Sequence, residues 1–111
     1  MELKIKYYQT ASGKKPCKEW INNLADTVGR MAIRMRLNRV RLGNFGVCEP
    51  ITSEISELKF YIGPGYRLYF SKIGSEVVLL LCGGDKGSQN KDIAKAKKYL
   101  EDYKIRRLDG E

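Results

Sequence analysis

Three features of this 111-residue chain predict an α+β fold: alternating segments near its start and its middle, two adjacent stretches of helical periodicity, and a lysine-rich helical pattern after the last apolar run. The elements come in the order strand, helix, helix, strand, strand, strand, helix. Hydrophobic residues make up 42% and aromatics 10%, and the chain shows no repeat, linker or low-complexity tract, so residues 1–111 are expected to form a single domain around one core.

Leu3, Ile5 and Tyr7 alternate with Lys4, Lys6 and Tyr8, as in a strand with one buried face. Pro16 suits the first turn of a helix, where its missing amide costs nothing, and Cys17, Trp20, Ile21 and Leu24 follow at helical spacing. Asp26 or Thr27 can cap a second helix reaching about Leu42, with Gly43-Asn44 as a left-handed exit. This helix has two apolar rows: Ile33, Leu37 and Val40 on one side, Met31, Met35 and Leu42 on another. One row is expected to meet the sheet and the other a helix. Residues 45–56 mix Gly, Pro, Thr and Ser and read as a loop. Glu76 to Cys82 is nearly continuous in apolar residues, the pattern of a central strand covered on both faces. Beyond Gly83-Gly84, a Ser88 or Asn90 cap opens a helix with Ile93, Ala96, Leu100 and Tyr103 on one side.

The segment from Glu57 to Phe70 carries the functional signal. Side chains two apart share a face, so Leu58, Phe60 and Ile62 point one way, and Tyr66, Leu68 and Phe70 join them from the next strand. The other face then carries Glu57, Lys59, Tyr61, Arg67 and Tyr69. With Gly63-Pro64-Gly65 as a tight loop, Ile62 pairs with Tyr66, which sets Tyr61 opposite Arg67, Lys59 opposite Tyr69 and Leu58 opposite Phe70. A basic, aromatic sheet face of this kind suits RNA.

Charge agrees. Lys and Arg total 21 against 13 acids, a formal net charge of +8, which favours a polyanion or an acidic protein partner. On the second helix Arg30, Arg34 and Arg41 share one face and Arg36 and Arg39 another, with no acid between Val28 and Phe45. Such a strip is a solvated surface, a dock for RNA phosphates, or a dock for an acidic partner segment. Histidine is absent, which removes Ser-His and Cys-His nucleophiles and the usual zinc sets, so no metal or cofactor is expected. Cys17, Cys48 and Cys82 are odd in number and far apart, as expected of reduced thiols in the cytoplasm. The longest strongly apolar run, Val77 to Cys82, is too short to span a bilayer, so no membrane association is expected. Gly83-Gly84-Asp85-Lys86-Gly87-Ser88 lacks the spacing of a phosphate-binding P-loop; the glycines are expected to let the chain turn sharply and to leave room for a substrate.

The runs Glu57-Leu58-Lys59, Gly63-Pro64-Gly65-Tyr66-Arg67-Leu68-Tyr69-Phe70, Val77 to Leu81, Gly83-Gly84-Asp85-Lys86, Ser88-Gln89 and Asp92-Ile93-Ala94 with Ala96 resemble the addiction-module killer proteins, HigB-like members of the RelE/ParE toxin superfamily of phage or plasmid type. The likeness extends upstream through Arg39-Val40-Arg41-Leu42-Gly43-Asn44 and so covers nearly the whole chain. It implies a β-α-α-β-β-β-α fold: a helical hairpin packed on a four-stranded, mostly antiparallel sheet with a C-terminal helix. It also implies the toxin of a type II toxin-antitoxin system, held in a hetero-oligomer by a helix-turn-helix antitoxin of HigA-like type. RelE-like relatives are mRNA interferases that cut messages on the ribosome, whereas ParE-like relatives poison DNA gyrase, so the fold transfers better than the target. A decayed module that only binds nucleic acid or antitoxin is the third reading.

Metal-free RNA cleavage needs a base for the 2′-OH, cations for the phosphorane and an acid for the leaving 5′-oxygen. Arg67 is the expected phosphate clamp, since its planar fork gives two hydrogen bonds and keeps its charge, and it matches the arginine that RelE-like enzymes use. Lys59 is expected to stabilise charge, or to act as base if Arg67 lowers its pKa; Glu57 is the rival base or a plain cross-strand ion pair. By resemblance Lys86 fills a late basic position where relatives often have Arg or His, and an ordinary lysine is a poor acid at neutral pH. Tyr61 and Tyr69 can stack on bases or serve as ordinary strand tyrosines.

Overall fold

The computed structural model describes residues 2–108. In chain order these form β1 (Lys4–Tyr7), α1 (Pro16–Asn23), α2 (Thr27–Arg41), β2 (Cys48–Pro50), β3 (Ser56–Lys59), β4 (Tyr66–Ile73), β5 (Val77–Asp85), a 3-10 turn (Lys86–Ser88) and α3 (Gln89–Leu108). The sheet order is β1-β5-β4-β3-β2, with β1 parallel to β5 and the other pairs antiparallel. Helices α1 and α2 cover one face and α3 the other, an α+β arrangement in three layers. Among the described residues no helix is long and apolar enough to cross a membrane.

The expected four strands become five. Residues read as loop supply β2, whose three residues pair with β3 at the sheet edge. An edge position tolerates Pro50, which has no amide to give a neighbour, and so short a strand leaves little alternation to read. Strand β5 is interior and covered on both faces, but the middle place belongs to β4.

Helices α1 and α2 start where local chemistry predicts, whereas α3 is entered at Gln89 through a 3-10 turn that Asp85 caps, in place of the expected Ser88 or Asn90 cap. Pro16 opens α1, and Asp26 caps α2 by accepting the Gly29 amide at 3.0 Å. The Asp26 carboxylate also accepts the Tyr66 hydroxyl at 2.9 Å, tying the start of α2 to the start of β4. These two hydrogen bonds, the backbone one first, hold its pKa below the usual value. Tyr66 crosses so close to α2 that a Cβ on Gly29 would lie 2.5 Å from its ring. Gly43, at φ +90°, makes the left-handed exit.

Ile33, Leu37 and Val40 bury against the sheet, one row as expected, but Met31, Met35 and Leu42 meet no helix among the described residues and lie exposed. Helix α1 is only eight residues long and sits on β5, its Trp20 ring over Gly83.

The β3–β4 hairpin keeps Glu57, Lys59, Arg67 and Tyr69 on one face as expected, but not Tyr61, which lies beyond the paired residues in a groove with α2, and it changes the expected partners. Lys59 pairs with Arg67, Glu57 with Tyr69 and Leu58 with Leu68, a slip of two residues. Paired strand ends at Lys59, and a wider loop with Gly63 and Gly65 at positive φ carries the chain to Tyr66. Two anchors impose this register: Tyr66 is held to Asp26, and the Arg36 guanidinium donates to the Lys59 carbonyl. Because side chains alternate with period two, a two-residue slip moves no side chain to the other face, and patterning cannot detect it.

Candidate functional site

The slip brings the two cations closer than the sequence indicated. Lys59 and Arg67 are directly opposed on the face that α3 covers, and the Glu57 carboxylate lies between them. Its Oε1 accepts from Arg67 Nη1 at 3.1 Å and stands 3.8 Å from Lys59 Nζ, while Oε2 accepts from Gln89 Nε2 at 3.2 Å. Across β2, Glu49 reaches Lys59 Nζ at 3.0 Å. The result is a row of Glu49, Lys59, Glu57 and Arg67 at the corner where β2, β3 and β4 meet the start of α3.

Burial sorts these groups. Glu57 is 1% exposed and serves as the counter-ion of the cations rather than as an open base. A carboxylate in that position is tolerable only while its partners remain, and breaking such a pair typically costs about 3–5 kcal/mol. Lys59 stays partly open, and its pKa is raised, chiefly by the hydrogen bond to Glu49. That reverses the idea of Lys59 as a base: its neighbours keep it a cation. Arg67 is nearly covered, with a side-chain exposure of 12%, and its Nε has no hydrogen-bond partner among the described residues.

Tyr69 is corrected outright. It is 0% exposed, under α3 with Leu79, Leu81 and Cys82, so neither ring face is open to a base. Burial, with Glu57 next in effect, pushes its hydroxyl pKa far up, and the hydroxyl has no partner among the described residues. Tyr61 is exposed beyond the end of β3, where it lines a groove against α2 with Met35 and Arg39.

A bulge in β5 shapes the space beside Arg67. Tyr69 pairs with Cys82 but Phe70 with Leu80, so Leu81 is the extra residue and both Leu81 and Cys82 face α3. Past the bulge, Gly84 lies opposite Arg67 on the α3 side and Gly83 points toward α1. The glycines therefore lie inside a strand rather than at a sharp turn, and their space is filled. A Cβ on Gly83 would lie 2.2 Å from the Trp20 ring, and one on Gly84 1.8 Å from the Asp92 carboxylate. Asp92 is itself buried and accepts from Ser88 Oγ at 2.5 Å.

Lys86 is exposed in the 3-10 turn, which Asp85 caps. It lines a groove of about 410 Å³ with Gln89, the residue that also holds Glu57, and so borders the ion-pair row without touching it. The arginines of α2 are elsewhere. Arg30 donates to the Leu24 carbonyl at 2.7 Å, closing the end of α1, and Arg34 donates to Asn22 Oδ1 at 2.7 Å. Arg41 is exposed. All three belong to the layer on the opposite side of the sheet from Lys59 and Arg67, so they do not extend that site.

Sequence reasoning missed Glu49, Gln89, Asp92 and the structural use of Arg36. Glu49 was hidden in the apparent loop; Arg36 gave no signal, although it donates to the Phe45 carbonyl at 2.9 Å and lies over the Phe60 ring. The three cysteines are free thiols, and burial pushes Cys82 up to about 12. No protein-family model matches the chain. A Haemophilus influenzae protein described only as uncharacterized is 40% identical over 78 residues, which span 70% of this chain and 79% of that protein.

Proposed function

This chain belongs to the family of that Haemophilus influenzae protein, and for it we propose the role of toxin in a type II toxin-antitoxin system of RelE/ParE type: a metal-independent mRNA endonuclease acting on the ribosome in the cytoplasm. The observation that carries the reading is the direct pairing of Lys59 with Arg67 on one sheet face, since a binding-only surface has little need of two cations converging on one phosphate. The order of helices around the sheet suits a fold of this type, with β2 as an addition at its edge. A helix-turn-helix antitoxin is the partner that the resemblance supplies.

In this reading Arg67 and Lys59 hold the scissile phosphate and stabilise charge as the 2′-oxygen attacks phosphorus and the 5′-oxygen leaves. Glu57 keeps both cations in place, so it acts by positioning. The exposed carboxylate beside Lys59 is that of Glu49, which is open to receive the 2′-OH proton. Lys86, at the rim, stands ready for the leaving group.

The test is induction in a bacterial host followed by primer-extension mapping of cellular messages. New 5′ ends that depend on translation are the expected result, and intact messages sink the enzyme reading. A second reading, gyrase inhibition without catalysis, draws on the same ion pairs, because both cations already have carboxylate partners. Loss of DNA supercoiling with intact messages would establish it.

A further inference from the structure

Helix α2, with Leu42 that follows its last residue, presents an apolar row that nothing in the described chain covers. Val28, Met31, Met35 and Leu42 are 71, 62, 53 and 65% exposed. Val28, Met35 and Leu42 are spaced by sevens, and Met31 falls between the first two, so the row follows the a and d positions of a coiled-coil heptad with Asn38 at the remaining d. The b, c and f positions, among them Gly29, Ile33, Leu37 and Val40, are those buried on the sheet. The two seams of this helix therefore point in opposite directions.

The residues beside the open row identify its occupant. Arg34 and Arg41 fall at g and Arg39 at e, all exposed, and no acidic side chain lies on α2 to balance them. We infer that the open face of α2 is a docking surface for an amphipathic helix of another protein, with apolar residues at its a and d positions and acidic residues flanking them. A second copy of this chain would set arginine against arginine. An RNA strand would pair with the arginines but would leave the apolar row uncovered. The groove between Ala32, Met35, Arg39 and the exposed Tyr61 widens the apolar contact at one side of the row. This surface lies on the opposite layer from Lys59 and Arg67, so the inference stands or falls apart from the endonuclease reading.

The probe is a synthetic helix of about four heptads, with Leu at a and d and Glu at e and g, titrated against the full chain by fluorescence anisotropy. The acidic peptide is expected to bind and a twin with Lys at e and g is not. Met31→Lys with Met35→Lys should weaken binding at least about tenfold, as loss of central apolar anchors does. Arg34→Glu with Arg39→Glu should transfer preference to the basic twin. Because these side chains are exposed, circular dichroism should report an unchanged fold in every variant, and Arg67→Lys should bind the acidic peptide as the wild type does. Equal binding of the twins, binding indifferent to the Met changes, or no binding would overturn the inference. So would displacement of the peptide by single-stranded RNA without effect of the Met changes, or a self-association in sedimentation that Met35→Lys abolishes.

Discussion

The two faces of the sheet are equally dry and differently built. Under α1 and α2 the contacts are hydrocarbon: Leu58, Leu68, Phe70 and Leu80 meet Cys17, Ile21, Ile33 and Val40. Under α3 the same strands bury Tyr69, Leu79, Leu81 and Cys82, but at one corner they also hold Glu57 and Asp92, with Arg67 almost covered. The first face can be explained by stability alone. The second buries acidic side chains and an arginine among apolar ones, and buried ion pairs are weak contributors to stability. The charges on that side therefore call for a function, and the difference between the faces can be tested by changing one at a time.

The largest effect should come from the charged face. Arg67→Lys keeps the positive charge beside Glu57 but loses the fork, and cleavage of a message in a ribosome assay should fall about a hundredfold or more. Its melting temperature should change little. Leu68→Ala on the other face should do the reverse: a loss of about 2–5 kcal/mol in urea unfolding, as for other buried leucines, with cleavage per folded molecule unchanged. If Leu68→Ala lowers cleavage as much as Arg67→Lys, the faces are not functionally distinct.

The paired glycines sharpen the contrast, because they are neighbours in β5 that face opposite ways. Gly83→Ala must move Trp20, and Gly84→Ala must move Asp92 and Ser88, so each should cost about 1–3 kcal/mol by overpacking. Only Gly84→Ala should also reduce cleavage, since it alone displaces the start of α3 and the Gln89 that holds Glu57. Equal activity per folded molecule in the two variants would detach α3 from the site.

The smallest effect concerns pH. Asp26 has a folded pKa below its ordinary value of 3.8, so its contribution to stability is complete above that value and is lost as pH falls through the lowered one. Asp26→Asn should therefore flatten the stability curve of the folded chain below about pH 4, measured by urea titrations across that range. A wild-type curve that matches the variant there would show that the cap carries no charge-dependent stability.

Much of the fold could be read from local rules. Pro16, Asp26 and Gly43 marked helix ends because each satisfies or avoids a backbone hydrogen bond in its own neighbourhood. Alternation placed Glu57, Lys59 and Arg67 on one face, and they are there. What escaped was decided at a distance. Burial of Tyr69 depends on α3 returning over the sheet, exposure of Met31 and Met35 on α1 packing against β5, and the direction of Gly84 on a single extra residue, Leu81.

Side-chain parity, helix caps, the excess of positive charge and the lack of histidine belong to the chain before it folds, because they need only near neighbours or a count of residues. Which residue pairs with which, which side of each element ends under a helix, and which carboxylate stays open beside the cations belong to the folded molecule. Period-two alternation gives the same pattern for every even shift of register, and only long-range anchors such as Asp26 with Tyr66 and Arg36 with the Lys59 carbonyl select one of them.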